Sequence, residues 1–258
     1  AVVDVPHVAP RRILLTGVAG FIGRHVARQL AALGHTVWGV DSLDERVHPS
    51  GQPPILPESV VFQRCTVDAI PYELRRECDT VIHLAAQVSV VDSMADYKRY
   101  LDQNTYQTGV LLTDLRCNPN LKRLVVASSM SVYGAGGPRV REDAPGVPAS
   151  VYGLTKYDQE RLCLMWGEQH RVQTLALRYF NVAGPEQALH NGYTGVLANF
   201  ANRLLRDQPP IIYEDGSQTR DFIYVDDVAE ATVTAALTER IVHGAYNVCT
   251  GEPTTILM

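Results

Sequence analysis

Tyr152 and Lys156 lie four residues apart, and together a tyrosine and a lysine could transfer a proton. This spacing places both side chains on one face of a helix. An ammonium group beside a phenol favours the phenolate and lowers the phenol pKa from its usual value of about 10, toward the range of a working base. An exposed tyrosine beside a solvated lysine is the alternative. The serine-rich run 128–131 follows the apolar segment 123–127, and parallel α/β sheets carry their chemistry at such strand ends, which favours a catalytic pair.

A glycine-rich turn near the N-terminus indicates where a cofactor would bind. Gly17, Gly20 and Gly23 have the spacing G-x-x-G-x-x-G, between the apolar segment 12–15 and a helical pattern. The first glycine permits a tight turn, the second lets the backbone approach a pyrophosphate, and the third lets the helix pack close to the sheet. An ordinary glycine-rich turn is the alternative. The context on both sides predicts a dinucleotide site, with the pyrophosphate on the helix N-terminus.

An acidic residue at the end of the next apolar segment indicates which dinucleotide is bound. Asp41 follows the segment 35–40 and lies 18 residues after Gly23. A carboxylate at this position accepts hydrogen bonds from the adenosine ribose and repels a 2′-phosphate, so it favours NAD over NADP. A solvated acid at a strand end is the alternative. The position predicts NAD.

These residues need a scaffold, and the pattern of apolar segments predicts one. Strand and helix patterns alternate along the chain, which is typical of a parallel sheet covered on both faces. We therefore expect an α/β fold with a doubly wound, Rossmann-type parallel sheet over residues 1–178 and a smaller substrate-binding lobe over 179–258. The predicted strands are 12–16, 35–40, 59–64, 79–84, 122–128, 172–178, 210–213 and 245–248, and the predicted helices are 21–33, 96–116, 152–169, 195–207 and 225–237.

The composition excludes several classes of function. The 258 residues are 46% hydrophobic and 20% charged, with a net charge of −5 and no basic cluster, so neither nucleic acid nor an anionic membrane is an expected partner. No apolar run approaches the ~20 residues that span a bilayer. The five cysteines have no paired spacing, so no metal site and no disulfide framework is predicted, and free thiols in a reducing cytoplasm are expected.

Taken together, the motifs resemble those of the extended short-chain dehydrogenase/reductase family, in its NAD-dependent nucleotide-sugar epimerase/dehydratase branch. They occur in the family's order along nearly the whole chain. They are T-G-V-A-G-F-I-G at 16–23, Asp41, Asp68, H-L-A-A at 83–86, Asn104 with Gly109, S-S-M-S-V-Y-G at 128–134, Tyr152 with Lys156, R-Y-F-N at 178–181 with Gly184-Pro185, and R-D-F-I at 220–223 with Asp226-Asp227.

The resemblance implies a role for each matching residue. The expected catalytic residues are Ser129, which holds the sugar hydroxyl, Tyr152, which is the base, and Lys156, which bonds the nicotinamide ribose. The expected cofactor-binding residues are Gly17, Gly20, Phe21, Ile22, Gly23, Asp41, Asp68 at the adenine, Leu84, Ala85, Ala86, Asn104, Tyr152, Lys156 and Tyr179. The expected substrate-binding residues are Ser129, Asn181 and Arg220 at the diphosphate, and Asn199 and Tyr213 in the nucleotide pocket.

The resemblance also implies a reaction, namely epimerisation of a UDP- or dTDP-sugar at C4 through a 4-keto sugar. In 4,6-dehydratases of this branch an Asp-Glu pair follows the catalytic hydroxyl. Here Met130 and Ser131 stand at those positions, and neither can act as acid or base for loss of water. A 4-ketoreductase or a decarboxylase on the same fold is the alternative, and a non-catalytic dinucleotide sensor, which typically lacks the Tyr–Lys pair, is a remote one.

Two further expectations come from the family. A homodimer is expected, because the long helices predicted at 96–116 and 152–169 often form a dimer contact in folds of this type. Simple packing of the two helices within one chain is the alternative. Members of the branch also continue beyond the position of Met258 with a helix and a substrate-binding segment, so the nucleotide pocket is expected to be incomplete within this chain.

Overall fold

The computed structural model describes residues 9–134, 139–189, 195–212, 215–238 and 240–257. Within these residues the strands are β1 (Arg12–Thr16), β2 (Thr36–Asp41), β3 (Val60–Arg64), β4 (Thr80–His83), β5 (Arg123–Ser129), β6 (Gln173–Tyr179), β7 (Asn181–Ala183), β8 (Thr219–Tyr224), β9 (Gly244–Val248) and β10 (Pro253–Thr255). The helices are α1 (Phe21–Ala32), α2 (Tyr72–Glu77), α3 (Val90–Ser93), α4 (Tyr97–Tyr100), α5 (Gln107–Leu115), α6 (Val151–His170), α7 (Val196–Leu204) and α8 (Val225–Leu237).

Seven of these strands form one parallel sheet in the order β3-β2-β1-β4-β5-β6-β9. Its central strands are continuous apolar runs, such as Ile13–Leu15, because both faces of the sheet are covered. Parallel strands present all of their carboxyl ends at one edge. The strand order reverses between β1 and β4, and ligands of such sheets bind in the crevice at that point.

Two layers of helices cover the sheet and give it two separate cores. On one face Val26 and Leu30 of α1 pack with Val228 and Val233 of α8 over Ile13. The opposite face carries α5 and α6, whose core residues include Leu111, Leu115 and Cys163. This arrangement is the predicted doubly wound α/β fold. None of the described helices is both long and apolar enough to cross a bilayer.

The predicted helix over 96–116 is helical throughout but not uniformly α-helical. Between α4 and α5 the segment Leu101–Tyr106 is a π-helical turn, and Asn104 within it is fully buried. A π turn of this kind rotates one residue out of the regular helical register and is frequently found at functional sites.

The C-terminal part of the chain differs from the prediction in two respects. Residues 210–212 of the predicted strand 210–213 are not in a strand, because Pro209 and Pro210 cannot donate ladder hydrogen bonds, and Ile211 and Ile212 are exposed. A second sheet, ordered β10-β8-β7, is built instead around Thr219–Tyr224.

The described residues of segment 179–258 contribute to the large sheet as well as to the small one. Strand β9 pairs with β6 in the large sheet, and α8 packs against α1. The chain therefore passes from β7 and β8 of the small sheet to β9 of the large sheet, and back to the small sheet with β10. The boundary at residue 178 stays a prediction.

Candidate active site

A cavity of about 380 Å³ lies at the carboxyl edge of the large sheet. Its walls come from the glycine turn after β1, the loop after β4, the ends of β5 and β6, and the first turns of α6. The predicted site residues that line it are Gly17, Gly20, Phe21, Ile22, Gly23, Asp41, Leu84, Ala85, Ala86, Ser129, Tyr152, Lys156 and Tyr179.

The glycine turn provides a cradle that larger residues would fill. Gly17 has φ +73°, and a Cβ there would lie 2.8 Å from the backbone nitrogen of Ala85. At Gly23 a Cβ would lie only 2.0 Å from the Gly17 carbonyl oxygen. Helix α1 then begins without a side-chain cap, so its first N–H groups remain open to an anionic ligand. These features fit the pyrophosphate of a dinucleotide.

Asp41 is held beside this cradle by the backbone. Its Oδ2 accepts a hydrogen bond from the Ala19 N–H at 3.0 Å, and its Oδ1 accepts one from the Leu43 N–H at 2.9 Å. The carboxylate therefore has a fixed direction at the end of β2. Its location in the cavity wall fits the predicted contact with an adenosine ribose.

The proton-transfer pair lies at the start of α6. The Ser150 hydroxyl caps this helix by accepting a hydrogen bond from the Gly153 N–H at 3.0 Å, which fixes where the helix begins. Tyr152 and Lys156 then lie one turn apart, and both line the cavity. The Tyr152 ring packs edge-to-face on Tyr100, with centroids 6.5 Å apart.

Burial disfavours charge on both members of this pair. It raises the pKa of Tyr152, and a hydrogen bond with the Ser129 hydroxyl opposes that rise. Burial also lowers the pKa of Lys156 to about 7, although Cys163 and Glu160 act in the opposite direction. The sequence predicts that the Lys156 ammonium lowers the pKa of Tyr152, whereas the largest influence in this structure is desolvation, which raises it. The phenolate therefore requires a positive neighbour that is itself held in place.

The two serines at the end of β5 have different tasks. Ser129 lines the cavity, and its Oγ accepts a hydrogen bond from the Ser131 N–H at 3.1 Å, which begins the short 3₁₀ turn Met130–Tyr133. The Ser128 hydroxyl instead donates to Glu160 Oε2 at 2.7 Å. Of these two serines, Ser129 is therefore the one whose hydroxyl is available to a substrate.

A buried ion pair supports this serine run from behind. Arg178 donates from Nε to Glu160 Oε2 at 2.9 Å and from Nη2 to Oε1 at 2.5 Å. Its Nη1 donates to the Tyr133 hydroxyl at 2.6 Å, and that hydroxyl donates to Asn247 Oδ1 at 2.7 Å. These bonds tie β5, α6, β6 and β9 together directly below the cavity, so they fix the end of β5 that carries Ser129.

Several predicted site residues do not reach the cavity wall. Asp68 is exposed on the 3₁₀ turn Val67–Ala69. Asn104 is buried and acts on the wall indirectly. Its Oδ1 accepts from the Gln87 N–H at 2.7 Å, and its Nδ2 donates to the Gln87 carbonyl and to Thr155 Oγ1, both at 3.0 Å. It therefore holds the loop after β4 against α6.

The predicted substrate residues are dispersed, apart from Ser129. The Asn181 amide donates to the Asp221 carbonyl at 3.1 Å and to Met130 Sδ at 3.3 Å. Arg220 is exposed on β8 and donates to the Thr219 carbonyl at 2.8 Å, and Asn199 is exposed on α7. Tyr213 lies outside the described residues.

Other residues of the cavity wall were not named from the sequence. Arg24 directly follows the third glycine of the motif, and this adjacency is a signal that could have identified it. The glutamines carry no comparable pattern, since their contribution depends on the folded chain. These glutamines are Gln87, Gln103, Gln107 and Gln187.

Comparison with known proteins identifies the family. The sequence model described as NAD dependent epimerase/dehydratase family matches residues 13–249. The chain belongs to this family. It is 32% identical to the dTDP-L-rhamnose 4-epimerase of Burkholderia thailandensis, over 96% of this chain and 78% of that protein. It is 35% identical to the UDP-N-acetyl-alpha-D-glucosaminuronate decarboxylase of Bacillus cytotoxicus, over 90% and 72% respectively.

A solved structure of a family member resembles the fold described above. The UDP-glucuronic acid 4-epimerase of Bacillus cereus, in complex with UDP-glucuronic acid and NAD, superposes with a TM-score of 0.84 at 32% identity, over 95% of this chain and 79% of that one. These comparisons confirm the predicted family, the doubly wound fold, NAD as the cofactor and an enzyme of the epimerase type. The roles of individual residues remain predictions.

Proposed function

We propose that this protein is an NAD-dependent nucleoside-diphosphate-sugar epimerase that inverts the configuration at C4 of the sugar. The observation that supports this most strongly is that Ser129, Tyr152 and Lys156 line the same cavity as the glycine turn and Asp41. A group that exchanges protons thus stands beside a site that fits a dinucleotide. This is the combination that reversible oxidation of an alcohol requires.

In this proposal the cofactor is held by backbone and by one carboxylate. Gly17, Gly23 and the N-terminus of α1 would hold the pyrophosphate, and Asp41 would accept hydrogen bonds from the adenosine ribose. Bound in this way, NAD would supply the hydride acceptor and donor for C4 of the sugar.

The chain's own residues carry the proton. Tyr152 Oη accepts the proton of the sugar 4-hydroxyl and later returns it to the same oxygen, after the 4-keto sugar has presented its other face. Ser129 Oγ hydrogen-bonds that oxygen and keeps it beside the phenol. The Lys156 ammonium stabilises the phenolate, which burial would otherwise disfavour.

The positions after Ser129 support epimerisation rather than elimination of water. Met130 carries no ionisable group, and its sulfur accepts a hydrogen bond from Asn181, while the Ser131 N–H is bound to Ser129. A 4-ketoreductase or a decarboxylase remains the second candidate, because one relative at 35% identity is a decarboxylase. Both reactions would use the same tyrosine and the same cavity.

We further propose that the small sheet and α7 form a substrate lobe. Asn181 and Arg220 would bind the diphosphate of a UDP- or dTDP-sugar, with Asn199 and Tyr213 near the nucleoside. Arg220 suits this role because its planar guanidinium can donate two parallel hydrogen bonds to a phosphate. Its exposure on β8 leaves the guanidinium accessible to a ligand.

We also propose a homodimer. Helices α5 and α6 cover the face of the sheet opposite α1, and their outer surface would form the contact between the two copies. Large apolar side chains are exposed there, both on the helical segment 97–115 and on α6. A second copy of the chain would remove this area from water. The residues are Leu101 (43% exposed), Tyr106 (62%), Leu154 (45%), Leu162 (36%) and Met165 (61%).

The cytoplasm is the proposed location. All five cysteines are free thiols, and two of them, Cys78 and Cys163, are fully buried. Burial raises the pKa of both thiols to about 12, so they are unreactive in the folded protein. Free cysteines of this kind are typical of a reducing compartment.

The proposal is tested by identifying the bound ligand and the reaction together. Mass spectrometry of small molecules released from the purified protein is expected to find NAD. Incubation with a panel of UDP- and dTDP-hexoses is expected to interconvert one pair of 4-epimers without accumulation of NADH. Net NADH consumption would instead identify a reductase, and release of carbon dioxide would identify a decarboxylase. Binding of NAD without turnover of any nucleotide sugar would contradict catalysis.

A further inference from the structure

Four polar side chains lie buried behind Lys156, outside the cavity wall. They are Gln159 on α6, Thr108 on α5, His83 on β4 and Thr16 on β1, and none of them is more than 1% exposed. Buried polar groups are costly unless each finds a hydrogen-bond partner. These four are connected to one another in a single chain of hydrogen bonds that begins at Lys156.

The direction of the bonds follows from what each group can donate. A lysine ammonium has donors only, so the Gln159 atom 2.6 Å from Lys156 Nζ is the amide oxygen, Oε1. The amide nitrogen of Gln159 then faces Thr108 and donates to its Oγ1 at 2.8 Å. Thr108 donates its own proton to the Asn104 carbonyl at 2.6 Å. The orientation of the Gln159 amide is thereby fixed at both ends.

The same accounting assigns the proton of His83. Because the Thr108 proton is already donated, His83 Nε2, at 3.0 Å, is assigned as the donor to Thr108 Oγ1, and Gln159 Nε2, 3.3 Å from the same ring nitrogen, makes only a contact with it. His83 Nδ1 therefore accepts the Thr16 hydroxyl proton at 2.7 Å. Thr16 Oγ1 in turn accepts from the Ala85 N–H at 3.2 Å, in the loop that lines the cavity. His83 is neutral in this arrangement, in agreement with burial, which together with Lys156 lowers its pKa to about 3.

We propose that Gln159 is a positioning residue for the proposed reaction, which holds the Lys156 ammonium in place through its amide oxygen, and that Thr108, His83 and Thr16 anchor this amide to the cofactor loop at Ala85. This inference rests on the proposed function for the task of Lys156. Gln159 acts through Lys156 and does not touch the cavity.

The charged and titratable groups around Lys156 show why this acceptor matters. Glu160 and Cys163 lie on the same helix and favour the ammonium, yet the Glu160 carboxylate is already bonded to Arg178 and Ser128. From β4, His83 is neutral, because burial and the nearby Lys156 lower its pKa to about 3, so it adds no charge beside the ammonium. Tyr152, one turn away on α6, holds its proton more tightly than usual. Gln159 is thus the group whose oxygen directly accepts from the ammonium.

The composition makes a direct measurement possible, because the chain contains only three lysines, Lys98, Lys122 and Lys156. The protein as purified, with its bound nucleotide quantified, is labelled with ¹³Cε-lysine and titrated by NMR. Conversion of Lys98 and Lys122 to arginine assigns the three signals. The remaining signal of Lys156 is expected to titrate near neutral pH, because burial lowers its pKa to about 7.

Substitution of Gln159 then tests the proposal. In Gln159→Leu the Lys156 midpoint is expected to fall by roughly one to two pH units, since a hydrogen bond to a charged group contributes about 1.5–3 kcal/mol and one unit corresponds to 1.36 kcal/mol. In Gln159→Glu, where a carboxylate replaces the amide, the midpoint is expected to rise. Thr108→Val removes the hydroxyl that anchors the amide but leaves the Gln159 oxygen in place, so it is expected to produce a smaller fall than Gln159→Leu.

A control variant and a check on folding separate a specific effect on Lys156 from a general effect of the substitution. Gln103→Leu makes the same substitution in the cavity wall, at a side chain that donates to Asp102 instead, and is expected to leave the Lys156 midpoint unchanged. An unchanged far-UV circular dichroism spectrum and an unchanged content of bound nucleotide show that a variant is folded. An identical Lys156 midpoint in wild type, Gln159→Leu and Gln159→Glu would overturn the proposal. Since no sugar substrate is used, this failure is distinguishable from failure of the proposed reaction.

Discussion

The proposed cofactor side and the proposed substrate side of this protein are organised to different degrees. On the cofactor side, the glycine turn and Asp41 meet in one cavity, and the Asp41 carboxylate is oriented by two backbone N–H groups. On the substrate side, Arg220 is exposed on β8, and Asn181 is bonded to other parts of the protein. The groups of the cofactor side are already in place, whereas Arg220 and Asn181 of the substrate side would have to change their hydrogen-bond partners to bind a ligand.

The difference has a physical cause. The cofactor side is built from the carboxyl ends of strands in one parallel sheet, so its geometry is fixed by the two large cores of the fold. The substrate side comes from β7, β8 and α7, and β7 and β10 are only three residues long. Short strands over the edge of a sheet bury little apolar area and order a site weakly without a ligand.

The largest effect is expected at Tyr152, where the two sides meet. Tyr152→Phe removes the group that exchanges the proton, so turnover of the nucleotide sugar is expected to fall by roughly 10²–10⁴. Bound NAD, measured by mass spectrometry, is expected to remain. Tyr157→Phe on the same helix is the control, since its ring packs on Gly146 rather than in the cavity, and near-normal turnover is expected there. Near-normal turnover in Tyr152→Phe would remove this residue from the mechanism.

A glycine-to-alanine pair compares the stability of the two sides directly. Gly23→Ala places a Cβ 2.0 Å from the Gly17 carbonyl oxygen, and this overpacking is expected to lower the free energy of unfolding by about 1–3 kcal/mol or more, with loss of bound NAD. In Gly195→Ala, before α7, the nearest atom to the new Cβ is Gln187 Nε2 at 3.9 Å. That variant is expected to differ from wild type by less than about 1 kcal/mol. Equal denaturant midpoints for both variants would contradict the difference in organisation.

The next prediction concerns Asp41 and the preference for NAD over NADP. Wild-type protein is expected to bind NAD at least about tenfold more tightly than NADP, a difference of ~1.4 kcal/mol that calorimetry resolves. Asp41→Asn removes the negative charge that repels a 2′-phosphate, so the preference is expected to fall. Asp44 also lines the cavity but is paired with Arg99, so Asp44→Asn is expected to change the preference less. Equal affinity of the wild type for both dinucleotides would refute the assignment of Asp41.

The same contrast explains what the sequence could predict. The strand expected at 12–16 is β1 (Arg12–Thr16), because a short continuous apolar run followed by a glycine-rich turn is typical of a buried parallel strand. The strand at Thr219–Tyr224 was missed, since its partners β7 and β10 are distant in sequence and its own pattern is polar at one end. For the site, residues of the glycine motif were found by spacing. The contact of Gln159 with His83 and Thr108 joins three separate elements, and no local pattern indicates it.

The smallest effect on the folded protein is expected at Arg220. Because this side chain is exposed, Arg220→Ala is expected to change the free energy of unfolding by no more than about 0.5 kcal/mol. Binding of UDP or dTDP, measured by calorimetry, is nevertheless expected to weaken by about tenfold, since the substrate side would recruit this guanidinium only when a diphosphate is present. NAD affinity is expected to stay constant. Arg116→Ala, an exposed arginine after α5, is the control and is expected to alter neither. Unchanged UDP affinity in Arg220→Ala, with a tightly binding wild type, would show that Arg220 is a surface residue without a part in binding, and that the diphosphate is held elsewhere.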